Sequence, residues 1–115
     1  MEPTREASAR QEEYIAKKFN GVRVSNSGAG PWKKGDVIIK DASMTVECKT
    51  QMSDKSSMTV KKDWILKNLQ ETKENRLFNS CVAISFDSSG KENYYIIDEK
   101  LFSFLIEKLS EDMEL

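Results

Sequence analysis

Residues 35–51 read GDVIIKDASMTVECKTQ. Two apolar runs, Val37 to Ile39 and Met44 to Val46, flank a short polar turn, so the stretch predicts a β-hairpin. Charges bracket it: Asp36 opens the first run, and Glu47 and Lys49 close the second. Side chains alternate along a strand. Met44, Val46 and Cys48 therefore share the face expected to meet a core, and Thr45, Glu47, Lys49 and Gln51 share the other. With a turn at 41–43, the numbers of paired residues sum to about 84, which puts Asp36 opposite about residue 48. Asp36, Glu47 and Lys49 then converge at one end of the hairpin.

Such a cluster has two readings. One is an ion cluster on a solvated strand face. The other is a site in which two carboxylates share Mg²⁺ through hard oxygen ligands. A lysine beside them would hold or help deprotonate a water whose pKa the metal lowers.

Outward from the hairpin, residues 4–20 have helical spacing (Ala7, Ala9, Ile15, Ala16, Phe19) and stop at Asn20-Gly21. A short strand is expected at 22–25, and NSGAGPWKKG, 26–35, is a glycine-rich loop. The hairpin strands span about 36–40 and 44–50. Beyond a polar connector come a helix over about 59–77, a buried strand at 80–86, a strand at 94–98 and an amphipathic helix at 99–110. The order α-β-β-β-α-β-β-α predicts an α/β fold, a central mixed five-stranded sheet flanked by helices. With 115 residues, a single domain is expected, its ends at 1–4 and 111–115 frayed.

The sequence has no histidine, which excludes His-based general bases, Ser-His and Cys-His pairs and His-containing zinc sites. Chemistry is left to carboxylates, lysine, hydroxyls or a metal on oxygen ligands. Cys48 and Cys81 lie in apolar runs without metal-ligand spacing and read as reduced core residues of a cytosolic protein. No apolar run is long enough for a bilayer, and the first residues are too polar for a secretory signal, so a cytoplasmic location without a membrane is expected. Charge is uneven: residues 15–76 hold 13 Lys/Arg against 7 Asp/Glu, and residues 77–115 hold 3 against 8. A basic middle between acidic ends permits contact with a polyanion, although uneven surface charge alone produces the same pattern.

The first helix adds a fourth charge. At 100° per residue, Ile15, Ala16 and Phe19 centre on about 107°, with Glu12 at about 120° and Glu13 at about 220°. Glu12 is carried toward the interior or a cleft, where a carboxylate needs a partner. That partner is either a basic group or helix N-terminus, or a metal shared with Asp36 and Glu47.

Glu12 on a first helix, Asp36 on a strand, then Glu47-x-Lys49 resembles the PD-(D/E)xK nuclease superfamily. Within it the pattern is most similar to archaeal-type and viral Holliday junction resolvases. The segment EEYIAKKFNGVRVSNSGAGPWKKGDVIIKDASMTVECK, 12–49, follows their order of elements. The resemblance implies a restriction-endonuclease-like core and a metal-dependent endonuclease that resolves branched double-stranded DNA. It implies Glu12, Asp36, Glu47 and the backbone carbonyl of Cys48 as ligands of Mg²⁺, with Mn²⁺ as a substitute and two ions per site. Lys49 would position or activate the attacking water, and Ser27 would contact the scissile region. It further implies a homodimer, and in a viral protein a location in the host cytoplasm; no organic cofactor is expected. Gly35 stands where the motif's proline is expected.

Around that site, Lys33 and Lys34 add charge to the loop, and Trp32 is placed to stack on a base or to cap the core. Lys61, Lys62 and Lys67 on the second helix either track a DNA backbone or form a solvated face. Gln51, on the Lys49 face, is a candidate to orient water or phosphate. Two other functional classes stay open: a PD-(D/E)xK endonuclease of another specificity, phage or restriction type, and a non-catalytic DNA-binding module of the same fold. Last, Phe102, Phe104, Leu105 and Ile106 make the final helix apolar over a wide arc, which suits deep packing or a subunit contact.

Overall fold

The computed structural model describes residues 4–24, 33–51 and 55–113. Its elements are α1 (Thr4–Lys18), β1 (Val22–Arg23), β2 (Val37–Ile39), β3 (Met44–Thr50), α2 (Lys62–Glu74), β4 (Asn79–Ser85), β5 (Asn93–Ile96) and α3 (Glu99–Met113). The expected α-β-β-β-α-β-β-α order and mixed five-stranded sheet are present. The strands lie side by side in chain order. Neighbours pair antiparallel, apart from β3 and β4, which pair parallel. Parallel pairing needs a crossover, and α2 supplies it. No helix among the described residues is long and apolar enough to cross a membrane.

The hairpin register differs from the expected one by one residue. β2 pairs Val37 with Val46, Ile38 with Thr45 and Ile39 with Met44. The cause is the turn: a 3-10 segment, Lys40–Ala42, followed by Ser43 in the left-handed region at φ 49°. Continuing this register puts Asp36 opposite Glu47 rather than residue 48. The Asp36 N–H donates to the Val46 carbonyl at 3.1 Å, and the Val24 N–H donates to the Asp36 carbonyl at 3.0 Å. Asp36 is thus clamped from both sides by backbone. Helix ends differ too: α2 begins at Lys62, and α3 runs on through Glu111 to Met113.

Both faces of the sheet are covered. On one, Ile15 and Ala16 of α1 pack on Val37, Ile39, Val46, Cys48, Cys81 and Ala83. On the other, Ile38, Val82 and Ile84 are buried on the side α2 covers. A sheet buried on both faces accounts for the near-continuous apolar run of β4. Cys48 and Cys81 are free and buried, as the sequence implied.

Of the expected stripe of α1, Ile15 and Ala16 are buried, but Phe19 is exposed and lies just beyond the helix. The buried stripe runs Ala7, Gln11, Ile15, spaced four residues apart, with Gln11 fully buried. Gln11 is the axis of the helix's inner face, and Glu12 sits on its border.

Candidate active site

The turn geometry and the ends of β2 and β3 assemble the centre of the site. Asp36 Oδ2 accepts the Cys48 N–H at 2.7 Å. That N–H points past the first residue of β2, Val37, so the aspartate side chain takes the place of the preceding strand residue. Strand alternation puts the Cys48 carbonyl on the same edge of β3. Burial pushes the Asp36 carboxyl up to about 6, and the neighbouring Glu47 and Glu12 carboxylates push the same way. The Cys48 N–H and the Lys49 ammonium act against that rise.

Glu47 is buried on the face of β3 that α2 covers. Two lysines meet its Oε2: Lys49 at 3.4 Å and Lys67, from α2, at 3.7 Å. Lys49 Nζ also lies 5.1 Å from the centre of the Trp64 ring, a cation–π contact that holds the ammonium beside Glu47. A buried carboxylate left alone would be costly; here two cations offset it.

Glu12 enters from α1. Its side chain is largely buried, and Oε1 accepts from Arg23 Nε at 3.2 Å. Of the two partners open to it on sequence grounds, the structure supplies the basic one. Burial raises its pKa, Arg23 lowers it, and Glu47 raises it. Glu12, Asp36 and Glu47 therefore act on one another electrostatically. Among the described residues, however, no group of three His, Cys, Asp or Glu side chains is drawn together as a metal-ligand set. Glu12 would join such a set only by exchanging Arg23 for the ion.

The other sequence candidates scatter. Lys33 Nζ donates to the Asn75 carbonyl at the end of α2 (3.2 Å), and the Lys34 backbone is bonded in both directions to the Asn75 amide. Lys61 and Lys62 are exposed at the start of α2. Gln51 Nε2 turns toward the connector, donating to the Ser57 carbonyl at 3.2 Å. Ser27 and Trp32 lie outside the described residues.

Three residues of the site were not foreseen. Gln11 Nε2 lies within bonding distance of the Lys49 carbonyl (3.1 Å), the Ala83 carbonyl (3.2 Å) and Asn93 Oδ1 (3.0 Å), tying α1 to three strands beside Lys49. Glu71 Oε2 accepts the Gly35 N–H at 3.0 Å, and its other oxygen is buried without a partner among the described residues. Asn68 donates to the Thr45 carbonyl at 3.1 Å. Trp64, Lys67, Asn68, Glu71 and Asn75 form one face of α2, three or four residues apart. That polar spacing was the available signal, and a search for apolar periodicity passes over it.

No family model matches this sequence, and neither does any curated protein or solved structure.

Proposed function

We propose that the chain is a metal-dependent endonuclease that hydrolyses phosphodiester bonds in branched DNA, with the Holliday junction as its substrate. The observation that carries this reading is the convergence of Asp36, Glu47 and Lys49 at one hairpin end, within the electrostatic reach of Glu12. The donor chemistry suits Mg²⁺: hard carboxylate oxygens, and a backbone carbonyl on the strand edge beside Asp36. Asp36 and Glu47 would hold the ion with that carbonyl of Cys48, and Glu12 would be the further ligand. When bound, Mg²⁺ supplies charge neutralisation at the phosphate and acidifies water.

The protein's own residues supply position. The Cys48 N–H fixes the rotamer of Asp36, and Trp64 and Glu47 fix Lys49. Lys49 Nζ donates hydrogen bonds to the attacking water and to a phosphate oxygen. The water oxygen forms a bond to phosphorus as the bond to O3′ breaks. Water gives up one proton and the departing 3′ oxygen gains one, leaving a 5′-phosphate and a 3′-hydroxyl. Lys61 and Lys62, exposed beyond Trp64, and Lys33 and Lys34, at the other end of α2, offer positive charge to the flanking backbone.

The test compares a four-way junction, a linear duplex and single strands, each in Mg²⁺ and in EDTA. Paired, symmetric cuts confined to the junction, absent in EDTA and absent in Asp36→Asn, are the expected result. Cutting of linear duplex would assign another DNA specificity. Binding without cleavage in Mg²⁺ or Mn²⁺ would remove catalysis from the reading.

A further inference from the structure

Glu47 Oε2 carries two ammonium groups, and they are not held alike. Lys49 has a second anchor in the Trp64 ring, 5.1 Å from its Nζ, and its side chain is 31% exposed. Lys67 reaches in from α2 with a side chain 62% exposed, and its Nζ stands farther off, at 3.7 Å against 3.4 Å. One turn along α2 lies Glu71. Its Oε2 is committed to the Gly35 N–H, and its Oε1 is buried with no hydrogen-bond partner among the described residues. A buried carboxylate oxygen without a donor is costly, and a lysine four residues away on the same helix is a neighbour of it. Both acids already act on one another: burial raises the pKa of Glu71, Glu47 adds to the rise and Lys67 opposes it.

We propose that Lys67 is a two-position counter-ion, which sits on Glu47 and yields that carboxylate to a divalent cation by moving to Oε1 of Glu71. This role rests on the proposed metal site and names the residue that sets its affinity. An ammonium and a divalent ion repel at one carboxylate, so one lysine must give way. Lys49 is retained by the Trp64 face. Lys67 is the more exposed of the two and makes the longer contact, and an acceptor stands one turn away. Its move keeps the charge of the interior compensated, since it leaves one carboxylate as it joins another. Lys67 thus protects the fold and competes with the ion. Its removal should tighten ion binding, the opposite of what the loss of a purely structural support would do.

Isothermal titration calorimetry with Mg²⁺ at pH 8, on the full chain without DNA, tests this. Lys67→Gln should bind Mg²⁺ about fivefold more tightly than the wild type, for a lost competitor worth about 1 kcal/mol. Lys67→Arg should return close to the wild-type affinity. Glu71→Gln keeps an oxygen for the Gly35 N–H and removes the charge that receives Lys67. It should weaken Mg²⁺ binding about twofold in the wild-type background and leave it unchanged in Lys67→Gln. Circular dichroism checks that each variant is folded. Equal or weaker binding by Lys67→Gln would overturn the proposal, as would a Glu71→Gln effect of the same size in both backgrounds. In those outcomes the wild type still binds Mg²⁺ and Asp36→Asn does not. A wild type without Asp36-dependent binding would instead remove the metal site itself, and the role of Lys67 with it.

Discussion

The carboxylate of Asp36 accepts a hydrogen bond from the backbone N–H of Cys48 at 2.7 Å, twelve residues along the chain. The bond closes the open end of the hairpin and fixes an acid that burial has made reluctant to ionise. Its pH dependence follows. The folded-state pKa is about 6, above the usual 3.8. Protonated Asp36 is therefore favoured by folding. Its stabilising contribution is complete below about pH 4 and is lost as pH rises through 6, a change of about 3 kcal/mol. Thermal melts from pH 4 to 8 should show stability from this group falling with pH. Asp36→Asn should flatten that segment of the profile while leaving the protein folded.

A divalent cation reverses the sign of that penalty, because it favours the ionised carboxylate. Mg²⁺ at pH 8 should raise the melting temperature, EDTA should restore it, and Asp36→Asn should not respond. The rise should shrink at pH 5, where protons compete. An equal rise in Asp36→Asn would move the ion elsewhere.

Lys49 and Lys67 share one buried carboxylate, so their removal should be non-additive. Lys49→Ala or Lys67→Ala alone leaves Glu47 one cation and should cost about 1 kcal/mol. The double substitution leaves a buried charge uncompensated and should cost about 3–5 kcal/mol. Urea denaturation of the four proteins completes the cycle. Lys49→Ala should abolish cleavage, and Lys67→Ala should only slow it; equal activity losses would put both lysines in the same role.

Gly35 stands where the resemblance to PD-(D/E)xK nucleases leads one to expect a proline, yet the structure rejects proline there. Gly35 has φ +92°, and its N–H donates to Glu71 Oε2. Proline fixes φ near −65° and has no N–H. A Cβ would also stand 2.5 Å from Thr45 Cγ2. Gly35→Pro should therefore destabilise by about 3 kcal/mol or more, measured by urea denaturation, rather than improve the site. Gly35→Ala should be milder but still destabilising.

Gln11→Ala removes a buried amide whose nitrogen faces two main-chain carbonyls and Asn93. A loss of about 1–3 kcal/mol is expected from the orphaned carbonyls, before any cavity cost. Hydrogen exchange should rise at the ends of β3 and β4, where those carbonyls lie.

The element order was legible because periods 2 and 3.6 alternate clearly along the chain. The convergence of Asp36, Glu47 and Lys49 was legible for the same reason, through alternation and a short turn. What escaped was the turn's own geometry: Ser43 in a left-handed conformation is not announced by its residue type, and it shifted the register by one. Gln11 escaped because a buried amide looks like a surface residue until its acceptors are known. The inner face of α2 escaped similarly, since buried Asn68 and Asn75 and half-buried Glu71 are held there by hydrogen bonding and not by apolarity. Helical spacing put Glu12 in the middle of the apolar stripe, whereas it sits at the border of the buried one, and its partner Arg23 depends on a strand contact that helical spacing does not contain.

That inner face of α2 also bears on how the molecule can change. An oily joint between helix and sheet lets the helix rotate by small angles at little cost. A joint made of Asn68, Glu71, Asn75 and Lys67 is keyed, like a toothed coupling, since each bond exists at one rotation only. The orientation of Glu47 and Lys49 is then set by the angular position of a helix that belongs to neither strand of the hairpin. Drift in the amino acids of α2 would detune the hairpin's chemistry without touching a residue of GDVIIKDASMTVECKTQ.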